Sequence, residues 1–509
     1  MHLSFLEWIV IVSTGAGSFL LSTLIVSLFS DKYERSKLTS LTCIIGLTLC
    51  MTFVSLIPID IYNISSGLDP STGERTAFFE ESLERAQFIH FLYSSFFFSI
   101  LIYIFILVPF SYFWFEEDDF NLTTKERFMA ALKYTIFSIL AFVSLFFIGA
   151  LLQTSSADDT VDWIKKLFEG HGRFDNGVIF AIGATTTVGL FSWIFYTAYG
   201  LSGFPLALLS TLCIPSDNST EFQRKDLEGE LSLIKDKKKA LASVRGLSGS
   251  GKRDLKQLGK KEEMLREQLT KLPKSVTSSV VFKTLSPFFG LIGIVLLILT
   301  VVVIVSYTTS LIDVLRSHNE YGEYVVAIPV ISNIIDTIMQ WSVPYFPLNV
   351  IILAVIALHI LTCTVYAVAT LGIRIICIKL YRFKLKSSFP QGMLLMSVLF
   401  VCSALCFTIL SSYMSPQYIS FGNQVYKNET SEELVSCGVV VINSTDCQMS
   451  QISSVFNLIS VAFPLFGMSY FYGSFLFVVI FALSLFWIIL RKCCCGSQDE
   501  DDSEDEFLL

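Results

Sequence analysis

The chain is short of charge and short of the residue clusters that catalysis requires. Asp, Glu, Lys and Arg make up 16% of its 509 residues, against about a quarter in soluble domains. Its five histidines, at 2, 90, 171, 318 and 359, are scattered, and none has Asp two residues before it. There is no H-E-x-x-H, no G-x-S-x-G and no C-x-x-C pair. These absences give no support to a zinc hydrolase, a serine hydrolase or a dithiol centre. The expectation is a protein that is not an enzyme and has no catalytic cofactor. A net charge of −8, much of it in one acidic tail, gives no footing for nucleic acid. Met1–Glu7 carries no Lys or Arg, and no small-x-small site closes the first apolar run. That run therefore reads as a retained anchor, not a cleaved signal peptide.

What the chain has in excess is apolar length. It is 53% hydrophobic with a mean hydropathy of +0.63. A bilayer core needs roughly 20 apolar helical residues to cross it. Nine stretches meet that length: Trp8–Phe29, Ser40–Tyr62, Phe88–Phe113, Ala131–Leu152, Val178–Tyr199, Phe288–Leu311, Phe346–Ile376, Met393–Met414 and Phe466–Leu490. The fold class is all-α: a polytopic helical transmembrane bundle of nine spans, embedded in membrane lipids, with a cytosolic helical hairpin inserted. Leu201–Ile214 is too short to span and reads as a buried or interfacial extension. Val325–Pro347 is broken by Asn333, Asp336, Gln340 and prolines. It reads as a re-entrant segment or an amphipathic cap, not as a tenth span.

Basic residues collect in alternate gaps, and such residues stay cytosolic. One set of gaps holds Lys32, Arg35, Lys37, Lys125, Arg127, Lys379, Arg382, Lys384, Lys386, Arg491 and Lys492, besides the basic residues of a large loop. The other holds Arg75, Arg85, Lys165, Lys166, Arg173, Arg316 and Lys427. This places the N-terminus in a lumen and the C-terminus in the cytosol. The organisation is then spans one to five over 1–212, a cytosolic loop over 213–286, and spans six to nine over 287–490. The last half includes a lumenal loop at 415–455, and a cytosolic acidic tail follows at 491–509.

In the large loop, Leu227, Leu231, Ile234, Leu241 and Val244 draw one apolar stripe, and Leu255, Leu258, Leu265, Leu269 and Leu272 draw another. A Gly-Ser turn separates them, so an antiparallel hairpin is expected. It serves as an internal scaffold or docks a partner. Gly246-x-x-x-x-Gly251-Lys252 is a phosphate-loop decoy, because Arg253 stands where magnesium chemistry needs Ser or Thr.

The topology sorts the modification motifs. Of five N-x-Ser/Thr sequons, Asn121 and Asn218 fall on cytosolic loops and Asn63 abuts a span. Asn428 and Asn443 lie in the last lumenal loop and are the glycosylation candidates. Cys437 and Cys447 share that oxidising loop and are expected to pair. Cys493, Cys494 and Cys495 follow the last span on the cytosolic side. They are palmitoylation candidates, with three unmodified thiols as the alternative. The tail ends Glu504-Asp-Glu-Phe-Leu508-Leu509. It resembles the acidic dileucine signal that clathrin adaptors read on endosomal and lysosomal membrane proteins.

Ionisable residues at membrane depth are functional hypotheses by default. His90, Lys133, His359 and Arg374 qualify, and His359 is the most interior. The plainer reading of His359 is a neutral ring bonded to a neighbouring helix. Pro58 and Asp60 read as a helix-ending pair.

Several stretches together carry a family likeness. They are Leu56-Ile-Pro-Ile-Asp60-Ile, Tyr112-Phe-Trp-Phe-Glu-Glu-Asp-Asp119, Ala131-Leu-Lys-Tyr-Thr135 and Tyr196-Thr-Ala-Tyr-Gly-Leu-Ser-Gly-Phe-Pro205-Leu. Lys379-Leu-Tyr-Arg382 and Ser415-Pro-Gln-Tyr-Ile-Ser-Phe-Gly-Asn-Gln-Val-Tyr426 complete the set. In that order they resemble the limb-region (LMBR-type) membrane proteins over nearly the whole chain. The resemblance implies a lysosomal membrane protein with a role in exporting cobalamin, its cargo, to the cytosol. It also implies escort of an ABC transporter of the D subfamily. Other members are described as lipocalin receptors that internalise ligand, so an endocytic receptor is the alternative, and a plasma-membrane pool is compatible with the tail signal. No cobalamin-binding residue can be carried over.

Overall fold

The architecture is that of a computed structural model, which describes the chain except residues 1–4, 31–35, 70, 118–122, 152–172, 211–230, 232–233, 235–275, 322–332, 344, 346–347, 376–377, 382–387, 428–433, 439–446 and 495–509. In chain order the helices are α1 (Phe5–Phe29), α2 (Lys37–Ser65), α3 (Phe79–Ile102 continued through Val108–Glu116), α4 (Thr124–Leu151) and α5 (Arg173–Ser192 continued through Ala198–Ser210). Then come α6 (Val276–Tyr321), α7 (Ile334–Ser342), α8 (Leu348–Leu371), α9 (Pro390–Met414), α10 (Pro416–Phe421), α11 (Gln451–Ala462) and α12 (Pro464–Cys494). Two antiparallel ladders pair β1 (Ile373–Ile375) with β2 (Ile378–Tyr381) and β3 (Val425–Lys427) with β4 (Leu434–Ser436).

Among the described residues nine helices are long and apolar enough to cross a membrane: α1 to α6, α8, α9 and α12. The nine expected stretches each fall on one of them, with moved ends. Pro58 and Asp60 do not end α2, which runs on to Ser65. Proline removes one backbone donor, a loss that helices in membranes tolerate. The fifth span absorbs Leu201–Ser210 as a continuous extension. The sixth helix starts at Val276, inside the expected loop. The rest of the expected 213–286 hairpin lies almost wholly outside the described residues. The seventh span stops at Leu371, five residues early, because Gly372 adopts φ +67° and turns the chain into β1. Arg374 therefore lies in a strand, not in a helix.

Helix α9 is the hub. Its most apolar stretch is 83% buried, against 11% for α4, so α4 presents its apolar surface outward and α9 is enclosed. Small residues let helices close on it. A Cβ at Gly189 of α5 would lie 2.2 Å from the backbone oxygen of Cys402 in α9. Close backbone approach of this kind is how membrane helices pack without a hydrophobic gradient. Cys43, Cys50, Cys363, Cys402 and Cys406 are free and buried in this core.

The chain divides into two compact units, Met1–Phe204 with Ile298–Leu509, and Pro205–Leu297. In the second, Gly293 of α6 abuts the Pro205–Leu209 backbone.

Candidate functional site

Among the described residues two spans carry a π-turn, and both turns aim an aromatic ring at α9. In α3 the turn spans Tyr103–Leu107, and Tyr103 Oη bonds Ser397 Oγ at 2.7 Å. In α5 it spans Trp193–Thr197, and the Trp193 ring meets Phe407 at 5.8 Å between centroids. One extra residue per turn rotates the following side chains, and such bulges are common where function sits.

Hydroxyl pairs add to the grip. Ser192 meets Ser403 at 2.8 Å, Thr197 meets Thr364 at 2.9 Å, and Tyr307 meets Ser474 at 2.8 Å. Each joins two helices in a setting where a lone hydroxyl would be costly. His359 of α8 pairs through Nε2 with Thr300 of α6 at 2.9 Å and is 3% exposed. That is the plainer of its two sequence readings: a satisfied core imidazole between neighbouring helices. His90 bonds Gln451 at 3.2 Å, and Lys133 is exposed.

A dense polar construction stands at the end of α9 nearest the Cys437–Cys447 loop. There the chain breaks at Ser415 (φ −147°, ψ 77°) and starts again as α10. Helix α7 clamps that break. Asn333 caps α7 with Oδ1 and donates from Nδ2 to the Ser306 backbone oxygen, to Ser310 Oγ and to the Met414 backbone oxygen. Three residues on, the Asp336 carboxylate accepts from Ser415 Oγ, from the Tyr418 N–H at 2.9 Å and from the Gln417 N–H at 3.3 Å. Burial raises the Asp336 carboxyl above the usual carboxylate range, and its three donors pull the other way. Burial likewise pushes Tyr418 up to about 12, offset somewhat by a hydrogen bond with Asn349.

A second break lies alongside. Helix α11 ends at Phe463 (φ −130°, ψ 85°) and α12 starts at Pro464. Asp60 of α2 touches the start of α11, accepting from the Ile452 N–H at 3.3 Å. Ser453 Oγ joins the two segments, meeting Ser412 and Ser420 at 2.9 Å each. At each interrupted helix, one of the two segments thus begins against a buried carboxylate. Discontinuous helices of this kind recur at transporter binding sites.

The loop beyond is tied by a disulfide, Cys437–Cys447, with Cα atoms 5.8 Å apart. Gln424 accepts from the Gln448 N–H and donates to the Phe421 and Gln448 backbone oxygens. Asn428 and Asn443 lie outside the described residues, as do Cys495, Glu504, Leu508 and Leu509. Cys493 and Cys494 close α12.

Below the breaks, Trp193, Tyr307, Phe407, Ser411, Met414 and Phe477 line a cavity of about 10 Å³, room for about one water. Among the described residues no group of three or more His, Cys, Asp or Glu could hold a metal ion.

In the sequence Asp336 stands as an interruption in an apolar stretch. Its signal was Asn333 three residues ahead: a cap residue followed by a first-turn carboxylate marks a helix start. That one face of so short a helix would be buried against Ser415 had no local signal.

The LMBR1-like membrane protein family model matches residues 7–278. A Dictyostelium discoideum protein named "Probable lysosomal cobalamin transporter" is 33% identical over 98% of this chain and 99% of its own length. Proteins with the same name from Emericella nidulans and Nematostella vectensis are 28% and 26% identical, covering 99% and 98% of this chain and 95% and 96% of theirs. No solved structure matches the chain.

Proposed function

The chain belongs to the LMBR1-like membrane protein family, and from that footing we propose that it is a lysosomal membrane protein serving the release of cobalamin from lysosome to cytosol. The observation that carries this reading is similarity along almost the entire length to proteins named as lysosomal cobalamin transporters. The nine membrane-length helices among the described residues agree with it.

We further propose that the chain acts as escort or partner of an ABC transporter of the D subfamily. An escort needs no cargo site of its own, and His359, the most interior of the ionisable residues singled out in the spans, is engaged with Thr300 at 2.9 Å. On this reading the N-terminus is lumenal, the tail is cytosolic, and clathrin adaptors read Glu504, Leu508 and Leu509.

The test is genetic. Delete the gene, measure cobalamin held in isolated lysosomes, then restore the wild type or the variant with Leu508→Ala and Leu509→Ala. Retention in the deletion, relieved by wild type and not by the tail variant, is expected. Normal cobalamin release in the deletion sinks the cobalamin reading. Full rescue by the tail variant at normal lysosomal levels sinks the sorting signal. Co-purification with the transporter from detergent extracts tests the partnership.

A further inference from the structure

We propose that α7 is an interfacial helix whose outward face seats in the neutral headgroup layer of the bilayer, at the border nearest the Cys437–Cys447 loop, while its inward face holds the break in α9. Its polarity is the inverse of a helix packed in water, which turns apolar residues in and polar ones out. The charged residue of α7, Asp336, is buried together with Ile335, Met339 and Ser342. The opposite stripe carries Ile334, Ile338, Trp341 and, just past the helix end, Tyr345, at helical spacing. Trp341 is 67% exposed and Tyr345 60%, and their rings lie 5.7 Å apart between centroids.

Hydrogen bonds fix the depth of this stripe. At the start of α7, Asn333 donates to the backbone oxygen of Met414, the last residue of the α9 span. At its close, the Tyr345 N–H donates to the Ser342 oxygen at 3.0 Å. Leu348, the first residue of the α8 span, then donates to the Tyr345 oxygen at 2.7 Å. Helix α7 therefore runs between the end of one span and the start of another. With nine residues it is about 13 Å long, too short to cross. The apolar surface continues into the first turn of α8, where Ile351 is exposed as well.

The side chains select the occupant. Trp and Tyr favour the boundary between headgroups and acyl chains, because their rings are apolar and their N–H and O–H groups remain hydrated. The stripe has no Lys or Arg, so it offers nothing to anionic lipid, and buried apolar area alone drives the seating. Continuity with the exposed side of a span favours lipid over a protein partner as the covering. The consequence is mechanical. Ile334 and Trp341 share one short helix with Asn333 and Asp336, so lipid packing against the outer stripe bears on the contacts at Ser415. The inference goes beyond the cargo reading and does not depend on it.

The experiment uses the full-length protein in phosphatidylcholine nanodiscs. The Trp341 fluorescence is isolated as the difference between wild type and Trp341→Phe. It is measured with lipid brominated close to the glycerol end and with lipid brominated near the chain ends. Shallow bromine should quench this difference signal severalfold more than deep bromine, and replacing part of the lipid with phosphatidylglycerol should not change that. Stronger quenching by deep bromine overturns the interfacial placement. Absence of quenching by either overturns the lipid assignment and leaves water or a protein partner as the covering. Quenching that needs phosphatidylglycerol overturns the neutral one. Melting temperature in the nanodiscs tests the link to the break. Trp341→Gln should lower it more in the wild-type background than in Asp336→Ala, since coupled sites are not additive. Equal losses in the two backgrounds overturn that link.

Discussion

The Asp336 carboxylate accepts the backbone N–H of Tyr418 at 2.9 Å and so ties helix α7 to the segment that follows the break in α9. The two residues are 82 positions apart. The bond closes a cluster in which Ser415, Gln417 and Tyr418 all donate to one carboxylate, while Asn333 binds the last carbonyl of α9. The break at Ser415 is thus held by side chains from a helix too short to span.

Asp336→Ala should be among the more damaging single changes at this end of the bundle. It leaves one hydroxyl and two N–H donors without their acceptor, at about 1–3 kcal/mol for each donor that stays dry. Asp336→Asn keeps an oxygen acceptor and should cost less. Thermal unfolding of the purified protein in detergent measures both, and equal melting temperatures for wild type and Asp336→Ala would contradict the clamp.

The same carboxylate sets a pH dependence. Its folded-state pKa is raised by burial, so the folded state binds the proton more tightly than the unfolded chain does. Its contribution is fully present below the ordinary carboxylate range and is lost as pH rises through the raised value. Wild type should therefore lose stability relative to Asp336→Asn as pH rises from about 4 towards neutrality. A difference between the two that does not change with pH would count against it.

Cys437→Ser, with or without Cys447→Ser, removes a cross-link between residues ten apart. Chain-entropy reasoning for so short a loop gives about 2–3 kcal/mol. The double and single variants should melt at similar temperatures, both below wild type. A reducing agent should lower wild type to the same level and leave the variants unmoved.

At Gly200 of α5 a Cβ would stand 1.9 Å from the backbone oxygen of Cys363 in α8. Backbone cannot swing aside as a side-chain end can, so Gly200→Ala must push the helices away from each other. A loss of about 1–3 kcal/mol is expected from overpacking. Gly15→Ala serves as the control, since nothing lies within 4 Å of the added atom. Melting temperatures of the pair should separate clearly.

Orientation has its own check. If the 415–455 loop is lumenal, Asn428→Gln and Asn443→Gln should each remove one glycosidase-sensitive step in gel mobility, and Asn218→Gln none. A step that depends on Asn218 would invert the topology.

Much of the architecture was legible in the chain because membrane-length apolar runs answer to one local constraint. Every backbone group in lipid must be satisfied within its own segment, so a run of about 20 apolar residues is already a helix. The nine stretches follow from that alone; Val325–Pro347 stays out because Asn333, Asp336, Gln340 and prolines interrupt it and a tenth span would break the alternation of basic gaps. Where ends moved, the cause was local and subtle: Gly372 turned the seventh span early, and Pro58 failed to stop the second.

The sequence by itself determined the fold class, the number of spans and the family likeness, because those rest on composition, period and residue order. The tertiary structure alone decided which helix is central, and which carboxylates meet which backbone donors. Asp60 and Ile452 stand 392 positions apart, and Asp336 and Ser415 stand 79 apart. Hydropathy reports whether a segment prefers lipid to water. It carries no information on which face of a span meets another, since lipid tails and leucine side chains are equally apolar. That choice came from close-packed glycines, π-turns and buried oxygens, whose partners are set by the fold as a whole.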